Sequence, residues 1–241
     1  VQFNMDGGAA SNAIDDVLPK AYEETWDPGV GTASFHAFGS AVNKGSISYK
    51  TPSFELPFGL TLSAAADYDP NANAAQPSPA SVGDAASSGE AFVFKLAHES
   101  GLTLGGGEMT VGNSDAVRGE TIATGYVTYS NGGLSLGYQE AYENAAITEK
   151  GTTTRGVDTE SDGFAIAYSA GDLSFSYSET NETAQANGAT AALEEEEFSA
   201  IQAAYNLGGM TIAASLYEAD NLDGVAAKKY EETELSVSFA F

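Results

Sequence analysis

Cysteine is absent from the 241 residues, so the chain has no disulfide framework, no thiolate metal site and no cysteine nucleophile. Histidine occurs twice, at His36 and His98, too few for a histidine-rich metal centre, and tryptophan once, at Trp26. Basic residues are scarce: 9 Lys and Arg stand against 34 Asp and Glu, for a formal net charge of -25. Neutralising phosphates takes Lys and Arg, so the charge argues against nucleic acid or an anionic surface as partner. The charge favours cations, divalent metals or a role that repels anions. No apolar run approaches the roughly 20 residues of a membrane helix. Val1 begins without the basic and apolar regions of a signal peptide, which leads us to expect a mature chain, a soluble chain or a fragment.

What the sequence does have is alternation. In its last stretch Leu235, Val237, Phe239 and Phe241 share one parity, and Ser236, Ser238 and Ala240 the other. A strand turns every second side chain the same way, so this stretch has one apolar and one small, polar face. The pattern recurs at Phe92, Phe94 and Leu96, at Phe164, Ile166 and Tyr168, and at Leu173, Phe175 and Tyr177. Strands are expected at 46–50, 60–69, 91–99, 102–111, 121–129, 134–142, 164–168, 173–178, 198–205, 210–218 and from 231 on. Residues 51–59 read as a turn. Ser11 and Asn12 can cap a short helix to about Leu18, ended by Pro19.

Connections alternate short and long. Asn131-Gly132-Gly133 and Asn206-Leu207-Gly208-Gly209 are hairpin turns, because Gly and Asn tolerate positive φ. Placing every long connection at one end is the asymmetry of a barrel standing in a membrane. Tyr68, Tyr129, Tyr138, Tyr142, Tyr168, Tyr177, Tyr205 and Tyr217 fall towards strand ends, where such a barrel carries aromatic girdles. The fold expected is all-β, a transmembrane antiparallel β-barrel with about 11–12 strands in this chain. The alternative is a soluble acidic β-sandwich that binds divalent metal or acts as an adhesin.

One resemblance sharpens this. Val1–Gly8 (V-Q-F-N-M-D-G-G), an acidic segment, Gly45–Phe54 (G-S-I-S-Y-K-T-P-S-F) and the terminal Phe241 resemble a general trimeric bacterial porin. The match runs from the end of its fifth strand through its inward-folded third loop and sixth strand to its sixteenth. The resemblance implies a division into 1–45, a strand end plus constriction loop, and 46–241, barrel strands. It places the chain as the C-terminal two-thirds of a 16-stranded barrel in a Gram-negative outer membrane. It also implies a homotrimer, contact with lipid and lipopolysaccharide, and passive ion transport and diffusion of small hydrophilic solutes, with no enzymatic activity and no cofactor.

On that resemblance Asp6, Asp15, Asp16, Glu23, Glu24 and Asp27 form the acidic side of the constriction. Carboxylates in a narrow passage attract cations and repel anions, so cation preference is expected. The basic side in such porins lies mostly on early strands with no counterpart here; Lys50 and Lys95 are the strand lysines, and Lys95 alternates with Phe94 and Leu96. External carboxylates such as Glu194–Glu197 are candidates for Ca²⁺ or Mg²⁺. Other motifs carry less: Asp67–Asn71 lacks the Gly and Glu of an EF-hand loop, and Gly105–Gly107 opens no helix and is no phosphate loop.

Overall fold

The computed structural model describes residues 1–5, 9–25, 38, 42, 45–72, 87–111, 117–118, 120–144, 147–148, 158–185 and 193–239. Asp6, Trp26, Asp27, His36 and Phe241 lie outside the described residues. The strands are β1 (Gln2–Asn4), β2 (Ser46–Lys50), β3 (Phe54–Leu56), β4 (Leu60–Ala72), β5 (Ser87–His98), β6 (Leu102–Val111), β7 (Val117–Arg118), β8 (Glu120–Asn131), β9 (Leu134–Asn144), β10 (Ile147–Thr148), β11 (Asp158–Ala170), β12 (Leu173–Gln185), β13 (Glu196–Asn206), β14 (Met210–Asp220) and β15 (Tyr230–Phe239). Almost all join one antiparallel sheet in the order β1-β2-β4-β5-β6-β8-β9-β11-β12-β13-β14-β15. β3 folds onto β4, and β7 pairs with β10 apart from the main sheet. Among the described residues the sheet stays open between β1 and β15.

The sheet corrects the expected strands at several ends. The turn at 51–59 contains β3, and β11 and β12 run well past 164–168 and 173–178. The apolar alternation ends near Phe164, but ladder hydrogen bonds need only backbone. The pairing therefore continues through polar partners from Gly163↔Thr180 to Asp158↔Gln185, helped by Ser161 Oγ donating to Glu182 at 3.0 Å.

Five short turns, 57–59, 99–101, 132–133, 171–172 and 207–209, lie at one end of the sheet. They seal that end against one another. Ser130 N donates to Gly101 O at 3.0 Å, Ser169 N to Gly133 O at 2.9 Å and Asn206 N to Asp172 O at 2.8 Å. Gly101 is required there: its φ is +94°, and a Cβ would collide with the Ser130 carbonyl oxygen.

The two faces differ in kind. On the outer face large apolar side chains stand exposed, among them Phe92, Phe94, Leu136, Ile166, Phe175 and Ile201, the last 58% accessible. The inner face is covered, because residues 9–25 lie across it. Its β4–β8 part is apolar: Val93, Met109, Val111 and Ile122 pack with Ile14, Phe38 and Val42. Burying a side chain the size of Phe38 or Ile14 contributes about 1.5–3 kcal/mol. Its β9–β13 part is polar, with Gln139, Ser176, Ser178, Thr180 and Gln202 buried. Tyr217 departs from the expected girdle. It shares the parity of Ala213, Ser215 and Ala219 and is buried on the inner face.

A face of exposed Ile, Leu and Phe makes physical sense against lipid. Ile201→Arg is expected to lower stability by about 2–4 kcal/mol in lipid vesicles, the cost of a cation near the midplane of a barrel. A urea titration of folded protein in vesicles measures it. On a soluble sandwich an exposed Ile→Arg change would be close to neutral, and that result would remove the membrane reading.

Candidate functional site

Residues 9–25 bring polar backbone across a sheet whose own ladder is already satisfied. Their N–H and C=O groups therefore need side-chain partners from the wall. The first anchor is Asp67 on β4. Its carboxylate accepts from Ala10 N at 3.0 Å and Ser11 N at 2.6 Å, and Ser48 Oγ also donates to it. Asn4 Nδ2 donates to Ser46 Oγ at 2.9 Å and to Ser48 Oγ at 2.6 Å, tying β1 into the same buried group.

Two glutamines form the next anchors, each using both ends of its amide. Gln139 Oε1 accepts from Val17 N at 3.4 Å, while Nε2 donates to Ile14 O at 2.9 Å and Thr124 Oγ1 at 3.0 Å. Gln202 Oε1 accepts from Tyr22 N at 3.0 Å, and Nε2 donates to Glu23 O at 2.6 Å. Between and beyond them, Ala21 N donates to Ser176 Oγ at 2.9 Å, Thr25 Oγ1 to Ser178 Oγ at 2.7 Å and Tyr22 OH to Glu234 Oε1 at 2.7 Å. The segment thus crosses from β4 to β15. The wall also makes room for it. A Cβ at Gly137 would stand 2.5 Å from Pro19 Cδ, and one at Gly163 2.9 Å from Leu18 Cδ1.

This bonding explains why the helix expected at 11–18 is only a 3-10 turn, Ala10–Ile14. Val17 N and Ile14 O, which an α-helix over 11–18 would bond internally, go to Gln139 instead.

On the anchored segment Asp15, Asp16, Glu23 and Glu24 lie half-buried. The structure adds a residue that sequence reading passed over: Lys20 donates to both Asp16 and Glu24. The spacing Asp16-x₃-Lys20-x₃-Glu24 was its only signal, and it reads as helical, which this segment is not. Four carboxylates against one ammonium leave these five residues three charges negative. Burial pushes the Asp15 carboxyl up, and pushes Asp16 up to about 6 against the pull of Lys20. Burial also opposes the charge of Glu24, but hydrogen bonds from Lys20 and Asp16 outweigh it and hold Glu24 below its ordinary value.

Lys50 pairs with Ala65, and Lys95 shares the parity of Ala91 and Val93, so both lysines stand on the inner face. Neither forms an ion pair with the segment's acids among the described residues. His98 faces outward with Leu96, its Nδ1 2.8 Å from Ser100 Oγ. Among the described residues no three carboxylates or imidazoles converge as metal ligands, and the inner face carries no histidine.

No protein-family model matches the chain, and no curated protein sequence does. A likeness exists at the level of structure. A porin refined at 1.8 Å resolution superposes with a TM-score of 0.56 at 13% identity, over 81% of this chain and 61% of that one. LpxR from Salmonella typhimurium gives a TM-score of 0.33 at 12% identity, over 90% of this chain and 96% of that one. The fold is that of a porin-like β-barrel, and this chain spans less than two thirds of the porin's length.

Asp67→Ala is expected to release the start of the segment. Losing hydrogen bonds to a buried charged acceptor costs about 1.5–3 kcal/mol each, and the measurable sign is faster proteolysis within residues 9–25 while the sheet stays intact. Unchanged cleavage in D67A would show that the carboxylate holds nothing.

Proposed function

We propose that this chain forms the wall and the narrowing segment of an outer-membrane diffusion channel for small hydrophilic solutes, with preference for cations. The observation that supports it is the anchored segment itself: residues 9–25 lie on the covered face of a porin-like sheet and carry net negative charge. Fixed charge in a confined passage with low-dielectric walls lowers the energy of counter-ions and raises that of co-ions. Asp15, Asp16, Glu23 and Glu24 supply that charge, and Lys20 moderates it. Asp6 and Asp27 belong to the same proposal from sequence alone. Lys50 and Lys95, on the inner face, are the candidate opposing charges. The resemblance to trimeric porins supports a homotrimer in the outer membrane, acting by passage rather than catalysis.

The reading has a pH signature. Asp16 is raised to about 6, so it is ionised at pH 7.5 and takes up a proton as pH falls through 6. The described acids and Lys20 then go from three negative charges to two. The zero-current potential across a KCl gradient in a planar bilayer should favour K⁺ at pH 7.5 and move towards zero near pH 5. Asp16→Asn should start nearer zero and lose most of the step between those pH values. Anion preference at pH 7.5 would overturn the acidic-constriction reading.

A further inference from the structure

Towards the long-loop end several strand carboxylates turn outward, among them Glu140 on β9, Asp162 on β11, Glu197 on β13 and Glu218 on β14. On β15 two carboxylates turn the other way. Glu232 and Glu234 alternate with outward Thr233 and Leu235, so both stand half-buried on the inner face. Glu234 shares an inner row with Ser215, Gln202 and Ser176, successive register partners on β14, β13 and β12. The anchored segment lies over this row: Ala21 N donates to Ser176, Tyr22 N to Gln202 and Tyr22 OH to Glu234 Oε1 at 2.7 Å. Tyr22 is thus tied on both sides of Ser215 and spans it. Ser215 is 1% accessible, and its Oγ has no hydrogen-bond partner among the described residues. A buried hydroxyl beside a carboxylate is costly to leave without a partner.

We propose that Glu232, Glu234 and Ser215 form a transient station for a monovalent cation on the channel wall, and that the arriving ion displaces the Tyr22 hydroxyl from Glu234. The two carboxylates are two residues apart on one face of a strand, about 7 Å, close enough to act on one ion. The ion pairs of the described residues involve neither of them. Phenol hydroxyls occupy both instead, Tyr22 on Glu234 and Tyr230 on Glu232. A hydroxyl donates a hydrogen bond but brings no positive charge, so a cation has the stronger claim on either carboxylate. While Tyr22 holds Glu234 it covers Ser215. Once it lets go, Ser215 Oγ becomes a neutral oxygen ligand beside the charged one. The donors are hard oxygens, which suit K⁺ or Na⁺. Among the described residues no third carboxylate or imidazole joins them, so the set lacks the ligand number that holds Ca²⁺. An ion that binds here also leaves, as conduction requires.

The station rests on the reading of this chain as a cation channel, and it shows in how current saturates rather than in which ion is preferred. Single-channel conductance of the protein in planar bilayers should level off as KCl is raised. Glu232→Gln and Glu234→Gln should each raise the half-saturating concentration about fivefold, the attraction of one charge at about 4 Å in water. Ser215→Ala should raise it as well, whereas a serine that only fills space would leave it unchanged. Tyr22→Phe keeps the ring and removes the competing hydroxyl, and should lower it. If Glu234 only tied the segment down, Y22F and E234Q would shift it in the same direction. E232Q carries the test should E234Q fail to fold, because the hydroxyl on Glu232 comes from Tyr230, outside the segment. Conductance that never saturates, no shift in both E232Q and S215A, or a common shift in Y22F and E234Q would overturn the station. Anion preference of the unaltered protein would instead count against the channel reading.

Discussion

An irregular segment laid across a finished sheet has nowhere to place its backbone hydrogen bonds unless the wall supplies them. That requirement organises the inner face. Asp67 takes two N–H groups of the segment, and Gln139 and Gln202 each pair with one N–H and one C=O. A primary amide offers a donor and an acceptor side by side, as an adjacent strand would, so each glutamine stands in for a short piece of ladder. Their burial is tolerable because the amides are satisfied at both ends. The glycines at 137 and 163 follow from the same demand, since the segment passes where their side chains would be.

The wall holds the segment in two different ways, and the division shapes the charge. Residues 9–14 are held partly by apolar contact, with Ile14 packed among Val93, Met109 and Ile122. Residues 17–25 are held mainly by hydrogen bonds to β9, β12 and β13. Directional bonds fix the backbone with Asp16 and Glu24 close together, and there Lys20 becomes necessary. Without it Asp16 and Glu24 would oppose each other in a half-buried place. With it Glu24 remains ionised, and Asp16 becomes the member whose charge responds to pH.

Much of the sheet was legible because period-two alternation has one reading where large apolar and small polar residues strictly exchange. β6 has the bounds that alternation gives, and the parities of Phe164, Ile166 and Leu235 are those of the outer face. The strand ends beyond Phe164 and Ser178 were not legible, since ladder bonds continue through polar residues without a periodic mark. Inward-facing Tyr217 was missed because position near a strand end says nothing of face, whereas parity with Ser215 does. Lys20 and the two glutamines were invisible for a deeper reason. Their partners lie on strands more than a hundred residues away or in a segment whose shape those partners create. Only the i, i+4 spacing of Asp16, Lys20 and Glu24 hinted at a cluster, and it pointed to a helix that competing wall bonds prevent.

The acidic excess has a consequence that its placement decides. Carboxylates such as Glu140, Asp162, Glu197 and Glu218 lie on the outer face towards the long-loop end, away from the inner segment. Their field reaches about 8 Å at physiological ionic strength and about 30 Å at 0.01 M. In dilute salt they raise the cation concentration around the whole long-loop end, whatever the inner segment does. In concentrated salt that contribution is screened, and the confined charges on residues 9–25, partly shielded from solvent by the wall, are screened least. Selectivity that persists at high salt therefore belongs to the segment, and the part that fades with salt belongs to the outer carboxylates. The same chain charge thus acts at two ranges, separated by burial rather than by sequence.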